Sequence, residues 1–407
     1  MEKADFQQRS DFVIELGKAL HQFGTTSFRL EAHLTNVSHF LGLDGYFMLS
    51  PTVMSIVLWE KGTEEKHNYH IRVEPGDLDL GSLAYADELV EEMVSEKLTL
   101  TEALKQLDAI RNKPEPYSDR MTFFAFGLTG GAFAMLMGTS VADIIAATVT
   151  SLVVYGLLYG IQKNKLNPHI IEPTAATVSA VFASAAAYFY PEINTPVVVL
   201  SGIIVFIPGL SITMGLKDLA SRHLTSGTAR VMDGIMCLFK LYFGAVLGDA
   251  IGNLLWGTKA YIDTPGIPGW TEWIAVPLLS LSLIIIFKSR IKDAFWGVLS
   301  CFIAYVGTLI GAAYLGDSLG LFIGALMVGL YSNIYSRITN APSTIVLLHG
   351  VVLLVPGSKA YIGLNKMVSG ETILNFPEIG TQTFLIFMSI LAGLMFANTL
   401  LPSKKPL

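Results

Sequence analysis

The sequence predicts a polytopic α-helical membrane protein of about ten transmembrane helices, arranged as two inverted five-helix repeats behind an N-terminal α/β cytosolic domain. Three observations carry that expectation. Hydrophobic residues make up 52% of the 407, charged residues 15%, and the mean hydropathy is +0.53, whereas an average soluble chain is about 25% charged. The charge is unevenly placed: residues 1–118 carry 11 Lys/Arg against 20 Asp/Glu, a net of −9, and residues 119–407 carry 16 against 13, a net of +3. One pattern also occurs twice. Gly202–Leu216 and Gly350–Leu364 both read G-x5-P-G-x5-G-L, 148 residues apart and inside long apolar runs. The stretch Lys113-Pro-Glu-Pro-Tyr117 therefore separates a soluble domain, 1–118, from two membrane repeats, 119–256 and 257–407.

The N-terminal sequence MEKADFQQRSDFVIELG has charges throughout and no apolar core of signal-peptide length, so this end is expected in the cytoplasm. Phe6–Phe23 places Phe12, Val13, Leu16, Leu20 and Phe23 near one helical face, and Thr25 or Ser27 is a candidate cap for a second helix reaching Phe40. The period then shortens. Gly45–Leu49, Val53–Glu60 and His67–Val73 are strand-like, the last alternating as Asn-Tyr-His-Ile-Arg-Val. Leu83–Val94 and Thr99–Ile110 return to helix, and Thr99-Leu-Thr-Glu102 has capping-box spacing.

Ten apolar segments follow, near 121–138, 141–161, 173–190, 196–216, 231–256, 273–287, 294–315, 317–335, 343–364 and 381–401. About 20 residues cross a bilayer, so 273–287 is short unless it starts earlier. With the N-terminus inside, Lys163, Lys165, Lys217, Arg222, Arg230, Lys288, Arg290, Lys292, Arg337, Lys404 and Lys405 fall on the cytoplasmic side, and only Lys259 and Lys366 fall outside. Both termini are then cytoplasmic in a multi-pass protein expected in the plasma membrane. Cys237 and Cys301 each lie inside an apolar run and read as helix-packing residues, not as a disulfide.

Five spans per half is an odd number, so the second half enters the membrane from the opposite side, and the Pro-Gly pairs fall in spans four and nine. Proline removes an intrahelical donor, and such a break is tolerated in lipid only where protein or a wet cavity re-satisfies the freed groups. Pro208-Gly209 and Pro356-Gly357 are therefore expected to approach one another near the midplane. Ser211, Gly215, Lys359 and Gly363 follow them in the motif and complete the candidate substrate site. A helix restarted after a break offers unpaired N–H groups to a carboxylate, and the preceding half offers carbonyls to an ammonium group or a proton carrier. A zwitterion uses both kinds of end, whereas a dicarboxylate uses two N-termini. Both substrate classes stay open on this reading.

Arg29-Leu-Glu31 after Gly24-Thr-Thr, the two Pro-Gly cores and Leu224-Thr-Ser-Gly-Thr-Ala-Arg230 resemble the threonine/serine exporter family. The resemblance covers nearly the whole chain: a cytosolic region with five spans, then a five-span half that some relatives carry as a separate polypeptide. It implies secondary export of small amino acids driven by the proton gradient, without a bound cofactor, and relatives in the split form are linked to dicarboxylate export. The matching positions are Pro208, Gly209, Gly215, Pro356, Gly357 and Gly363, with Arg29 and Glu31 in the soluble domain. The last two read as a structural ion pair or a domain-docking contact.

Comparing the halves at the 148-residue offset sets His349 against Ser201 and Lys359 against Ser211. Ionisable groups inside spans are costly and are functional suspects. Lys359 is expected to meet a carboxylate of the substrate or of the protein. The proton-coupling candidates are His349, whose unperturbed pKa near 6.5 suits proton transfer, together with Asp249 and Lys240. The last two are nine residues apart, about 14 Å along a helix, so they are not expected to pair with each other; Asp249 could instead meet Lys359 or carry the proton. Asp143, Glu172, Asp293 and Asp317 read as charges at span ends. His67 and His70 read as solvated residues and not as metal ligands. No P-loop, dinucleotide fingerprint or nucleophile elbow is visible in the sequence, which favours a gradient-driven transporter over an enzyme. The acidic domain does not suggest nucleic acid as a partner. The expected partners are a small-molecule substrate and the lipid bilayer, with a homo-oligomer left open. The competing class is a membrane-bound hydrolase or sensor acting through residues 1–118.

Overall fold

The computed structural model describes residues 5–257, 261–355, 357 and 376–405, without the side chains of 376–379. At the N-terminus, α1 (Phe6–Gln22) and α2 (Ser27–Phe40) precede an antiparallel meander of β1 (Leu43–Leu49), β2 (Val53–Glu60) and β3 (His67–Arg72), and α3 (Leu80–Val94) and α4 (Leu100–Arg111) complete the domain. The sheet alternates as its sequence does. Met54, Ile56 and Leu58 of β2 are fully buried with Phe12, Leu16 and Leu20 of α1 and Leu30 and Leu34 of α2, each worth about 1.5–3 kcal/mol relative to exposure. The capping box of α4 is present, with Glu102 N–H donating to Thr99 Oγ1 at 3.3 Å and Thr99 N–H to Glu102 Oε2 at 2.9 Å.

Two helix starts differ from the sequence expectation. Helix α3 begins three residues before Leu83 because Asp79 caps it, accepting from Ser82 N–H at 2.7 Å. In α2 the cap position is Thr26, which makes no side-chain cap bond. The Phe28 N–H donates instead to Asp218 Oδ1 of the membrane part at 3.4 Å, and the Ser27 hydroxyl meets that of Ser226. A carboxylate from elsewhere in the chain thus occupies the place a local cap would take.

The membrane part contains α5 (Asp119–Leu136), α6 (Val141–Lys163), α7 (Ile171–Phe189), α8 (Thr195–Gly202), α9 (Gly209–Ala220), α10 (Leu224–Trp256), α11 (Glu272–Ile286), α12 (Ile291–Leu315), α13 (Asp317–Thr339), α14 (Thr344–Leu354) and α15 (Phe376–Leu400). Among the described residues seven helices are long and apolar enough to cross a bilayer: α6, α7, α10, α11, α12, α13 and α15. The segment holding α8 and α9, bent by 57°, makes an eighth. The chain is a multi-pass membrane protein. A 3-10 turn at Gly269–Thr271 lengthens α11 to an 18-residue apolar stretch, which resolves the short segment at 273–287. The other two of the ten expected segments fall on α5, which opens with Asp119-Arg120, and on α14. Eleven residues span about 16 Å, roughly half of a 30 Å hydrocarbon core. Helix α14 is short because it stops at Val355, next to the proline.

The two halves repeat one neighbour pattern. Helix α6 lies against α7 and α8, and α7 against α8 and α10; correspondingly α12 lies against α13 and α14, and α13 against α14 and α15. Small residues bring these helices close. Gly244, Gly248 and Gly252 of α10 face Pro173, Thr177 and Ser184 of α7, and Gly393 of α15 faces Phe322 and Ala325 of α13. A Cβ at any of these glycines would strike its neighbour, as expected where close backbone packing holds membrane helices together.

The loops gather at two ends. At one, Ile267 N–H donates to Thr139 O and Ile262 N–H to Pro191 O, each at 3.0 Å. At the other sits the N-terminal domain. Glu88 meets Arg290 at 2.8 Å and Lys292 at 2.7 Å, Glu115 meets Lys288 at 2.7 Å, and Glu91 meets Lys405 at 2.6 Å. Backbone contacts join this network, Leu80 N–H to Phe287 O and Gly81 N–H to Lys288 O. Single exposed ion pairs contribute little, so the contact rests on a network in which an acidic domain covers basic loops.

Candidate functional site

The interruption in the first half is built from a single 3-10 turn, Ile204–Phe206, an extended Ile207, and Pro208 as the N-cap of α9. In the second half α14 ends at Leu354 and Val355 is extended. The two breaks meet. A Cβ placed on Gly209 would lie 3.0 Å from Gly357 Cα and 3.2 Å from its N, and one placed on Gly357 would lie 3.2 Å from Gly209 Cα. Only a pair lacking side chains allows the two backbones to approach in this way.

The side chains of Val355 and Ile207 flank the contact, Val355 Cγ1 beside Gly209 and Ile207 Cγ2 beside Gly357. The polar groups supplied here are largely backbone: the first N–H groups of a helix have no acceptor within it, and Pro208 contributes no side-chain cap. Ser211 is exposed, while Gly215 packs on Gly227 and Val231 of α10. Pro356, Lys359 and Gly363 lie outside the described residues.

Ser201 and His349 hold equivalent places. Ser151 Oγ donates to Ser201 O at 3.3 Å, and Cys301 Sγ donates to His349 O at 3.2 Å. His349 is buried, its Nδ1 2.8 Å from Ile345 O and its Nε2 3.2 Å from Ser289 Oγ. A carbonyl can only accept, so Nδ1 carries the proton and Nε2 of a neutral ring accepts from the serine. Lys240 approaches Glu172 of α7 at 3.6 Å, so Glu172 is both a first-turn charge and an ion-pair partner. Asp249 is exposed on α10 and accepts from Asn253 Nδ2 at 3.1 Å. The described geometry thus separates the three proton-coupling candidates instead of gathering them.

A second polar cluster lies at the other end of α9, where α2, the start of α10 and the start of α14 converge. Arg29 is 6% exposed and donates to the hydroxyls of Ser343 and Thr344. It does not pair with Glu31, which faces His223 Nδ1 at 3.4 Å. Of the two readings of Arg29-Leu-Glu31, an ion pair or a domain-docking contact, the described residues show docking contacts, and burial alone pulls the Arg29 guanidinium down to about 10. Asp218 is fully buried, with Arg230 Nε at 3.9 Å and the Ser226 hydroxyl at 3.4 Å. Beside it Lys217 is 7% exposed. The sequence reads Lys217 as a loop cation, although the adjacent Lys217-Asp218 pair just after the first Pro-Gly motif is a readable signal of a buried charge.

Two cavities lie between the N-terminal domain and the membrane helices. One of about 400 Å³ is lined by Tyr85, Lys113, Tyr117, Lys288 and Arg290, and one of about 760 Å³ by His33, Asp87, Glu91 and Lys405.

A family model described as "Putative threonine/serine exporter" matches residues 11–252, and one described as "Threonine/Serine exporter, ThrE" matches residues 272–400. Among curated proteins, the chain is 26% identical to the "Pheromone-regulated membrane protein 10" of Debaryomyces hansenii, over 88% of this chain and 36% of that protein. It is 25% identical to the protein of that name in Eremothecium gossypii, over 98% of this chain and 56% of the relative. An uncharacterized protein of Schizosaccharomyces pombe is 25% identical over 93% of this chain and 52% of its own length. The chain thus spans from about a third to just over half the length of these relatives. No solved structure matches it. With one family model covering more than half of the sequence and a second continuing through the other half, the chain belongs to the threonine/serine exporter family.

Proposed function

We propose that the protein is a secondary exporter of small amino acids, threonine and serine among them, driven by the proton gradient. In this reading ten spans form two inverted repeats in the plasma membrane, with both termini in the cytoplasm, and the substrate binds where the two interrupted helices cross. The contact of Gly209 with Gly357 carries the proposal: it joins the two copies of one sequence motif at the point where each helix gives up its internal hydrogen bonds. The restarted helix α9 offers N–H groups to the substrate carboxylate, and the end of α14 offers carbonyls to the ammonium group. The repeated neighbour pattern of the two halves supports a two-repeat transporter. His349, in the helix that leads to the second break, is the first candidate for the coupling proton, ahead of Asp249 and the Lys240–Glu172 pair.

Reconstitution tests this directly. Liposomes holding the purified protein should move labelled threonine or serine, unchanged, in response to a pH gradient, and should exchange internal for external substrate without one. Transport of succinate in place of the amino acids would move the protein to dicarboxylates, and conversion of substrate without flux would make it an enzyme.

A further inference from the structure

The cluster at the far end of α9 carries a charge imbalance. Three cationic side chains converge there, Arg29, Lys217 and Arg230, together with the N-terminal ends of α2 and α14. Against them stand one buried carboxylate, Asp218, whose oxygens are engaged by Phe28 N–H, the Ser226 hydroxyl and Arg230, and the exposed Asp233, which acts on Arg230. Glu31 is turned to His223. Arg29 therefore has hydroxyl acceptors and no carboxylate, and among the described residues Lys217 has neither a hydrogen bond nor an ion pair.

The start of α14 makes the position of Arg29 costlier still. Its guanidinium lies on Ser343 and Thr344, at the end of a helix that bears about half a positive charge. Lys217 has the carbonyl end of α9 nearby, which returns about half a charge, and it shares the attraction of Asp218 with Arg230. Buried charges without partners cost several kcal/mol each, and buried polar groups are normally satisfied. Among the described residues the Thr25 and Thr26 hydroxyls are also buried without a partner, at the start of the same α2.

We propose that Arg29, Lys217 and the Ser343–Thr344 helix start form a carboxylate-binding site, the first station of the substrate on the side of the N-terminal domain. The inference rests on the reading of the protein as an exporter of small amino acids. Its position suits that role: Lys217 is eight residues beyond Gly209, about 12 Å along α9, and α14 runs from Thr344 to the second break. The two helices that meet at the glycine contact therefore both lead from this cluster. A bound carboxylate would add the negative charge that Asp218 alone does not supply to Arg29, Lys217 and Arg230 and would draw hydrogen bonds from the Arg29 and Lys217 side chains, while the Thr25 and Thr26 hydroxyls face the polar remainder of an amino acid.

The test is equilibrium binding to the purified full chain, measured by calorimetry with L-threonine, threoninol, succinate and inorganic phosphate, alongside thermal melts without ligand. Wild type should bind L-threonine and not threoninol, which lacks the carboxylate. Lys217→Met and Arg29→Gln should each weaken binding by about tenfold or more, the loss of one charge-assisted hydrogen bond, and Lys217→Arg should restore it. Ligand-free Lys217→Met should melt no lower than wild type, because it removes a buried charge that lacks a partner. Succinate binding in place of L-threonine, with the same dependence on Lys217, would keep the site and overturn the amino-acid reading. Unaltered L-threonine binding in both variants would overturn the site and leave that reading standing. Binding of phosphate without any carboxylate, equal binding of threoninol, or binding of none of the four by wild type would each overturn the site.

Discussion

Gly209 and Gly357 do by absence what other sites do with side chains. A methyl group on Gly209 would sit 2.5 Å from Val355 Cγ1 and 3.0 Å from Gly357 Cα, and overpacking of this kind costs about 1–3 kcal/mol when neighbours can yield. Backbone cannot yield as a side chain can, so Gly209→Ala should reduce flux in reconstituted liposomes and Gly209→Leu or Gly357→Leu should abolish it, with membrane insertion intact. Normal flux through the inserted leucine variants would reduce the breaks to packing kinks. His349 makes a different prediction, since its ring holds a hydroxyl and a carbonyl at once. His349→Ala should keep threonine exchange and lose the response of net flux to a pH gradient, because exchange needs binding and reorientation but no net proton movement. A variant that still responds to the gradient would move the proton path elsewhere. The duplicated Pro-Gly motif is legible in the sequence because such a pair has few other uses in an apolar run. Gly215, in the same motif, packs on α10, and nothing in the spacing distinguishes a packing glycine from one that faces a partner break.

At the scale of elements, the seam between α2, α3 and the C-terminal residues near Lys405 should respond to pH in two opposing ways. His33 on α2 is buried, and burial, aided by Lys405, lowers its pKa from 6.5 to about 4. The unfolded chain therefore binds the extra proton first, so the stability His33 contributes is present above pH 6.5 and is lost as the pH falls towards 4, by up to ~3 kcal/mol. Asp87 on α3 runs the other way. Burial raises its carboxyl from 3.8 to about 6, outweighing the pull of Lys405, so its contribution is present below 3.8 and is lost as the pH rises through 6. In thermal melts of the full chain between pH 4 and 7, His33→Leu should leave stability falling with pH and Asp87→Asn should leave it rising. Identical pH profiles for the two variants would contradict both assignments. Of this seam the sequence shows only that Arg29 and Glu31 could dock the domain; which residues they meet is not legible. The strands and the capping box of α4 follow from neighbours a few residues apart, whereas Arg29 meets Thr344 and Ser27 meets Ser226. Contacts between residues this distant in sequence leave no local period to read.

At the scale of the molecule, the asymmetric charge of the sequence becomes a docked geometry: an acidic domain covers Lys288, Arg290, Lys292 and Lys405, while loops near 139, 191 and 262–267 meet at the opposite end. Hydropathy and loop charge made this separation readable. The count of spans was harder to read because α14 stops at Val355 and α5 begins with two charges. The proposed orientation therefore needs positions that reagents can reach. Ser226 and Ser289 are unsuitable, since both are buried at the docking surface. Asn164, Glu192 and Asp263 are exposed. In a background with Cys237 and Cys301 replaced by alanine, single cysteines at Glu192 and Asp263 should react with an impermeant maleimide applied outside cells, and one at Asn164 should react only after permeabilisation. This follows because Glu192 and Asp263 belong to the end remote from the N-terminal domain, and α6 must return the chain to the domain's side before Asn164. Labelling of Asn164 from outside, with Glu192 protected, would turn the whole molecule over and place the Arg29–Lys217 cluster on the exterior, where it could not receive a substrate leaving the cell.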